Sequence, residues 1–302
     1  MIKGIKIIVL LGMAIFLGFG QGNTETLYGA DGVGGNSSNL YILNPSSGAI
    51  ISTVGPIGYA ITGLAIHPGT GELYGSTSKK DSKAPSSLVK INKITAAGTV
   101  VGPFSASSLL SMPDITFSTS GVLYGWGDTG DPSVDDLYSI NLTTGSATRI
   151  GEAGLSSHGN GIAYSCSGVL FLAGQGNNGL LHTVNLNTGA TTQVATLNGA
   201  PGPSGSSVGA LAFSSNGTLY GVIIDNLVNY PSTFLVTINP NTGAVTNLGQ
   251  SIDSLDAIVF DGALCSVSIP IPIMTEWSLI ILIMLFGIGS IIYLRKKLNY
   301  NS

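Results

Sequence analysis

The sequence predicts an all-β fold, a five-bladed β-propeller with four-stranded blades, followed by one C-terminal transmembrane helix. The propeller follows from the motif Leu-x-x-(Ile/Leu/Val)-Asn, which occurs five times at intervals of 44 to 54 residues, starting at Leu40, Leu88, Leu137, Leu181 and Leu235. Each copy belongs to a unit with four short apolar segments, which is typical of a propeller blade. The helix follows from an uncharged apolar stretch near the C-terminus.

Within each unit, four strands are predicted in a fixed order. An apolar run such as Gly63 to Ile66 comes first, and a Leu-Tyr-Gly segment follows it, as at Leu73. The Leu-x-x-(Ile/Leu/Val)-Asn strand is third and runs into an Asn-x-x-(Ser/Thr)-Gly turn in four of the five units. Asn can bond its own backbone and Gly can adopt positive φ, so this pattern predicts a tight turn. The fourth strand ends in a pair such as Val101-Gly102.

The order of the units predicts how the ring closes. The first unit begins at Leu27 with its second strand, while the run Ala257 to Phe260 near the other end has no unit of its own. We expect this last run to complete the first blade, so that strand exchange between the termini removes an exposed edge. In their Leu-Tyr and Asn-x-x-Thr-Gly elements the repeats resemble YncE- and NHL-like repeat propellers. That resemblance implies a propeller over residues 23–268 and leaves its ligand open.

The N-terminus has the pattern of a secretory signal peptide. Lys3 and Lys6 precede the apolar stretch Ile7 to Phe19, and small residues flank a cleavage position near Gln21 to Asn23. Residues 1–22 are therefore predicted to be absent from the exported protein.

At the C-terminus, the uncharged run Leu279 to Leu294 is followed at once by basic residues. With Trp277 as the interfacial aromatic, the apolar stretch is about 18 residues long, the lower end of what spans a bilayer. A buried helix of a soluble domain is the alternative, but such a helix would show a polar face. The positive-inside preference places residues 23–276 outside the cell and the basic tail, residues 295–302, in the cytoplasm. The predicted stop-transfer residues are Arg295, Lys296 and Lys297.

This tail resembles the IPTL variant of the tripartite, PEP-CTERM-like tails that exosortase-type enzymes process on bacterial surface proteins. The family pattern is roughly Ile-Pro-Thr-Leu-Ser-Glu-Trp-Gly, and the residues that match it are Ile271, Pro272, Glu276 and Trp277. Four positions depart from it: Ile273, Met274, Thr275 and Ser278. The resemblance implies a sorting motif and tether at 269–278, a membrane helix at 279–294, and cleavage by an exosortase-type partner. A plain membrane anchor would instead stay uncut.

The charge of the exported part limits the possible partners. Five of the eleven basic residues lie in the terminal segments, which leaves six against fifteen acidic residues and a formal charge of −9. Nucleic acids and anionic membranes are recognised through clustered Lys and Arg, so this balance argues against both. Lys79, Lys80 and Lys83 form one basic loop, for which a solvated surface loop is the simpler interpretation.

Loops that lead into the inner strands usually carry a propeller's ligand site. Here they contain Tyr59, Asp114, His158, Asn160, Asp253 and Asp256. Two or three carboxylates around one funnel could act as acid and base in glycoside hydrolysis. Alternatively, each Asp caps a turn or starts a strand. We assign no catalytic residue and no cofactor site from the sequence.

The spacing of His, Cys and Asp residues limits the possible metal and disulfide sites. No His-x-x-x-His or Cys-x-x-Cys spacing occurs, which argues against zinc. Carboxylates suited to calcium cluster in one loop, which could equally be an acidic solvated loop: Asp128, Asp131, Asp135 and Asp136. An exported setting would permit a disulfide between Cys166 and Cys265, although the sequence does not place them within bridging distance.

The sequence thus predicts an exported, surface-sorted propeller that acts as a binding or structural module of the cell envelope or extracellular matrix. Exported polysaccharide or an envelope protein is the expected ligand, and the C-terminal helix is the expected membrane contact. An exported glycan-active hydrolase or lyase that uses the funnel carboxylates is the alternative.

Overall fold

The computed structural model describes most of residues 23–268. The described residues are 25–32, 34–106, 109–131, 135–155, 159–174, 179–202, 207–224 and 232–262, with Met284, 288–291, Tyr293, 295–296 and Asn299 near the C-terminus. The chain divides into two compact units, Met1–Cys265 and Ser266–Ser302. His158, the predicted signal peptide and the predicted sorting motif lie outside the described residues.

In the second unit, the described residues are helical. No helix within the described part of the chain is both long and apolar enough to cross a membrane. Most of the predicted membrane segment, 279–294, lies outside that part, so the transmembrane helix stays a prediction.

The described residues of the first unit form twenty strands in five antiparallel sheets of four strands each. In order from the axis outwards, blade 1 consists of β20 (Leu255–Asp261), β1 (Thr26–Asp31), β2 (Asn39–Leu43) and β3 (Ile50–Pro56). Blade 2 consists of β4 (Ile61–Ile66), β5 (Leu73–Thr77), β6 (Ser87–Ile91) and β7 (Gly98–Pro103). Blade 3 consists of β8 (Ser111–Phe117), β9 (Leu123–Asp128), β10 (Asp136–Ile140) and β11 (Ala147–Gly151).

Blade 4 consists of β12 (Gly159–Tyr164), β13 (Leu170–Gly174), β14 (Leu180–Val184) and β15 (Thr191–Thr196). Blade 5 consists of β16 (Ser207–Phe213), β17 (Leu219–Ile224), β18 (Thr233–Ile238) and β19 (Val245–Gln250). The inner strands β4, β8, β12, β16 and β20 contact one another in a closed ring. The prediction of a five-bladed propeller with four-stranded blades is therefore confirmed.

Strand exchange between the two ends of the domain closes the ring, as the sequence predicts. The last strand, β20, pairs antiparallel with the first, β1, and Leu27 lies opposite Phe260. The N-terminal segment thus supplies three strands of blade 1 and the C-terminal segment supplies the fourth. Inner strands of neighbouring blades are joined by side chains: Ile162 N–H donates to Asp114 Oδ2 (3.0 Å) and Tyr164 N–H to Thr116 Oγ1 (3.2 Å).

The leucines of the two repeat motifs form the core of the blades. In the second strands these leucines are at most 1% exposed, and in the third strands they are fully buried. Burial of one leucine side chain stabilises the fold by about 1.5–3 kcal/mol. The positions involved are Leu27, Leu73, Leu123, Leu170 and Leu219 in the second strands and Leu40, Leu88, Leu137, Leu181 and Leu235 in the third.

The turns after the third strands lock neighbouring blades together. In blade 3, Asn141 Oδ1 accepts the N–H of Thr143 at 2.8 Å, and Gly145 closes the turn with φ of 77°. A β-carbon on Gly145 would overlap the backbone of Gly102, at the end of the outer strand of blade 2. The Gly that closes the turn of one blade therefore meets the Gly near the end of the outer strand of the preceding blade.

The same contact recurs at the other blade junctions, with one variation. Gly189 lies against Gly151, Gly48 lies against Gly249 across the closure of the ring, and Gly243 lies against Thr196. The turn of blade 2 has Ala96 instead of Gly, with φ of 63°. Its neighbour across the junction is Gly55, where an added β-carbon would lie 3.6 Å from Cβ of Ala96. That is an ordinary van der Waals distance, so this junction has room for the methyl group that Ala96 carries and a glycine lacks.

The structure also decides the state of one cysteine. Cys166 lies in the turn after β12 and is disulfide-bonded. Cys265, the other cysteine of the chain, follows β20 and lies outside the described residues.

Candidate functional site

The five inner strands each carry a β-bulge close to the end at which they begin. The pairing with the second strand shifts between Ile61 and Gly63 in β4, and at the equivalent place in β8, β12 and β16. In β20 the extra residue is Asp256, because Leu255 pairs with Asp31 and Ala257 with Ala30. A bulge turns a side chain away from the regular alternation of a strand. The five bulges therefore set the direction of the side chains that line the axis of the ring.

Asp114, next to the bulge of β8, ties three inner strands together. Its Oδ1 accepts the N–H of Ile115 at 2.9 Å. Its Oδ2 accepts two more, from Ile162 on β12 at 3.0 Å and from Leu211 on β16 at 3.2 Å. The residue has no exposed surface. Both carboxyl oxygens are thus used to satisfy inner-strand backbone groups that have no further strand to pair with.

The electrostatic setting of Asp114 favours its neutral form. Burial raises the pKa of the Asp114 carboxyl well above its usual range, and the negative charge of Asp256 raises it further. The three N–H donors act in the opposite direction, because they stabilise the carboxylate. This carboxyl is therefore a buried, hydrogen-bonded part of the ring.

Asp256 lies beside the glycines of two neighbouring segments. A β-carbon on Gly32 would overlap the Asp256 carboxyl, and one on Gly209 would lie 3.6 Å from Asp256 Oδ1. No described residue forms a hydrogen bond with the Asp256 side chain. Asp256 keeps some exposed surface, yet burial raises its pKa to about 7. Partial exposure together with a pKa raised by burial fits a carboxyl that faces the narrow axial space of the ring.

The remaining residues predicted for the funnel do not share these contacts. Asn160 lies in the bulge region of β12 and is partly exposed, and Asp253 is exposed in the turn before β20. Tyr59 is half-buried in the link between β3 and β4, where its ring would meet a β-carbon on Gly98. The structure therefore brings Asp114 and Asp256 together at the axis and places Tyr59 elsewhere.

Tyr59 belongs to a second polar region, built around the loop 78–86, which we call the lysine loop. Lys83 Nζ lies 5.8 Å from the centroid of the Tyr59 ring and donates to Gly58 O at 3.0 Å. Sequence reasoning did not identify the residue that shapes this loop, Asp81. Its Oδ2 accepts Ala60 N–H at 2.6 Å, and its Oδ1 accepts Lys83 N–H at 2.8 Å and Ala84 N–H at 2.7 Å.

Asp81 is ionised at neutral pH although it is only 6% exposed. Burial by itself raises its pKa, but the three backbone donors and the charge of Lys83 outweigh that effect and lower the pKa below its usual value. The spacing Asp-x-Lys in a loop is compatible with such an Asx-type turn. It could not reveal the third donor, Ala60, which comes from a distant segment.

In the predicted calcium loop, the described carboxylates have separate protein partners. Asp128 pairs with Lys79 at 3.3 Å and accepts from Ser111 Oγ, while Asp135 accepts from Thr129. Asp136 is 2% exposed, forms an ion pair with Arg149 and accepts Ala153 N–H. Nowhere among the described residues do three or more His, Cys, Asp or Glu side chains form a group suited to a metal ion. Calcium binding stays a prediction.

Comparison with known proteins places the chain at the level of fold. No family model and no curated protein sequence matches it. A solved structure described as a nidogen/laminin complex is similar with a TM-score of 0.53 and 11% identity, over 80% of this chain and 100% of that one. At this identity the likeness shows the fold alone, a β-propeller.

Two further solved structures have a TM-score of 0.50. One is a protein of unknown function from Bacteroides caccae, at 15% identity over 79% of this chain and 99% of that one. The other is a putative exo-β-1,3-galactanase from Bifidobacterium bifidum s17, at 13% identity over 74% and 88%. The descriptions of these similar propellers differ in kind, so a function for this chain has to be argued from its own site residues.

Proposed function

We propose that this protein is an exported, surface-sorted β-propeller that acts as a non-enzymatic binding module for polysaccharide of the cell envelope or extracellular matrix. The observation that carries the proposal is the state of Asp114. A catalytic acid or base must come within hydrogen-bond reach of the atom it serves. Asp114 has no exposed surface, and both of its oxygens accept backbone N–H groups.

The rival function, a glycan-active hydrolase or lyase, needs a pair of carboxyl groups on opposite sides of the bond to be cleaved. Asp256 alone satisfies part of that requirement, because it has exposed surface and a pKa raised to about 7. Asp114 cannot serve as its partner without breaking the link between β8, β12 and β16. The axial carboxyls therefore support a structural role better than a catalytic pair.

Export and sorting are proposed from the two ends of the chain. Disulfides form and persist mainly in oxidising compartments, so the bonded state of Cys166 supports export. The tail residues Ile271, Pro272, Glu276 and Trp277 are proposed as the motif that an exosortase-type enzyme recognises. Intact-mass measurement of the protein from each cell fraction tests this. A C-terminus near Ile271 in the extracellular fraction is expected, whereas a tail retained through Ser302 in the inner membrane would refute sorting.

The binding function is tested with the exported protein and polysaccharides isolated from the producing cell. We expect saturable binding to at least one polymer and no increase in reducing ends or unsaturated sugars on long incubation. Cleavage that persists in Asp253→Asn but disappears in Asp256→Asn would establish the enzymatic rival. The absence of saturable binding to every isolated polymer would refute the binding module.

A further inference from the structure

Positive charge is scarce in the exported part of the chain, and most of it is neutralised. All six of its basic residues are described. Lys90 pairs with Glu72, Lys93 with Asp261 at 2.7 Å, and Arg149 with Asp136. A fourth, Lys79, pairs with Asp128 at 3.3 Å. That leaves Lys80 and Lys83, which have no ion-pair partner among the described residues and lie in the same loop.

Two described acidic groups near these lysines, Asp81 and Asp128, are turned inward or already paired. Asp81 lies between them in sequence, but it is buried and its oxygens accept three backbone N–H groups. Asp128 is occupied by Lys79 and Ser111. Lys80 and Lys83 are both exposed. The surface that the lysine loop presents to solvent is therefore positive, although the exported part as a whole is acidic.

The backbone of the lysine loop is held in place from several sides. Besides the three bonds to Asp81, Ser78 N–H donates to Ala60 O at 2.8 Å, and Thr77 Oγ1 donates to Ala84 O at 2.5 Å. From blade 1, Gly35 lies against the Lys80 backbone so closely that a β-carbon there would overlap it. The two ammonium groups are thus carried on a fixed backbone, which lowers the entropy lost when a ligand binds.

Groups suited to a sugar lie next to these ammonium groups. The half-buried ring of Tyr59 lies under Lys83 Nζ. The link that carries Tyr59 is fixed to blade 1, because Ser37 Oγ accepts Gly58 N–H at 3.0 Å. A tyrosine offers an apolar face together with a hydroxyl, and Lys80 and Lys83 offer donors for a carboxylate. One small area therefore combines an aromatic ring with two lysines that form no ion pair among the described residues.

We propose that the lysine loop and Tyr59 form the subsite at which the protein binds carboxylate groups of an acidic polysaccharide. This inference rests on the proposed binding function and names the class of polymer. A polysaccharide with one carboxylate per sugar residue can place one or two of its carboxylates against Lys80 and Lys83, while exposed charges more than about 8 Å away are largely screened at physiological salt. A nucleic acid carries one charge per about 1.7 Å of duplex and needs a broader basic surface.

The test uses the exported protein with polygalacturonate as the uronic acid probe and dextran as the neutral polymer. The variant Lys80→Gln/Lys83→Gln removes the proposed contacts. The control Lys90→Gln/Lys93→Gln removes the same net charge elsewhere, and thermal melting confirms that both variants are folded. We expect Kd for polygalacturonate to rise about five- to tenfold in the first variant, with a weaker salt dependence, and to change less than twofold in the control.

Three results would overturn the inference. An equal loss of binding in both variants would show that only the overall charge matters. Tighter binding of single-stranded DNA than of polygalacturonate would assign the loop to nucleic acid. Unchanged binding of a neutral envelope polysaccharide by the lysine-loop variant, with no polygalacturonate binding by either protein, would reject the acidic subsite and leave the proposed function intact. Failure to bind any polymer would reject both.

Discussion

Replacement of Asp114 by Ala should destabilise the propeller more than any other single carboxyl replacement at the funnel. The substitution leaves the N–H groups of Ile115, Ile162 and Leu211 without the Asp114 acceptor in a site that has no exposed surface. Each buried, unsatisfied donor costs about 1–3 kcal/mol. Part of this cost is offset because a carboxyl that is poorly solvated in the folded state is removed. We therefore expect a net loss of about 2–5 kcal/mol in the free energy of unfolding.

Two further variants make this prediction specific. Asp114→Asn keeps one acceptor oxygen for β12 and β16 but turns an NH2 group toward Ile115 N–H, so we expect a loss of about 1–2 kcal/mol. Asp253→Ala, at an exposed turn residue, should stay within about 0.5 kcal/mol of the unsubstituted protein. Urea unfolding of the protein, followed by the fluorescence of the fully buried Trp126, measures all three. A loss below about 1 kcal/mol for Asp114→Ala would refute the role of Asp114 as a tie between blades.

Three other predictions concern the blade junctions, pH and the disulfide. Gly145→Ala should cost more stability than Gly217→Ala in urea unfolding, because both glycines have positive φ (77° and 82°) but only Gly145 lies against a neighbouring backbone. The second variant should lose about 1–2 kcal/mol, and equal losses would argue against the interlock between blades. Because the pKa of Asp256 is raised from its usual value of 3.8 to about 7, the folded state keeps a proton that the unfolded state releases, so stability should fall as pH rises from about 4 to about 8. The effect of Asp256 is at most about 4 kcal/mol and is reduced by its partial exposure; Asp256→Asn should make the slope less steep, while the raised pKa of Asp114 keeps part of it, and an unchanged slope would contradict the assignment. Removal of the Cys166 disulfide by Cys166→Ser should lower stability by about 2–4 kcal/mol, and a reducing agent should lower Tm in the unsubstituted protein but not in this variant.

Most of the fold could be predicted because its signals are local. The turn residue Asn141 and the closing Gly145 act through hydrogen bonds and φ angles within a few residues, so they can be recognised in any one repeat. Four copies of this turn, together with five copies of the strand motif Leu-x-x-(Ile/Leu/Val)-Asn, fix the number of blades. The unpaired run at Ala257 to Phe260 then predicts the closure, because a strand without a unit must pair with the unit that lacks one.

Less of the candidate site could be predicted. The sequence places Asp114 and Asp256 at the loops that lead into inner strands, but it does not show that they differ in role. Asp114 accepts N–H groups from Ile162 and Leu211, which are 48 and 97 residues away in sequence. The bulges that orient these residues depend on how two strands pair. They cannot be recognised from the sequence of one strand.

The charge that the lysine loop presents to solvent could not be predicted from the sequence either. From the sequence, Lys79, Lys80 and Lys83 have equal weight and a nearby Asp81 would offset them. In the folded chain Lys79 is paired with Asp128 of another blade, and Asp81 is buried among backbone donors. The effective charge of the loop therefore depends on partners that approach only after folding.

The sequence alone determined that this protein is a closed, five-bladed ring. The repeat spacing, the turn residues and the unpaired last strand can each be recognised within short segments of the chain. The tertiary structure decided what the polar residues do. It made Asp114 a link between three strands, buried the Asp256 carboxyl enough to raise its pKa to about 7, and left Lys80 and Lys83 without an ion-pair partner in the part of the chain that the structure describes. Hydrogen bonds and ion pairs act over a few ångströms, and only the closed ring brings residues from different blades within that range.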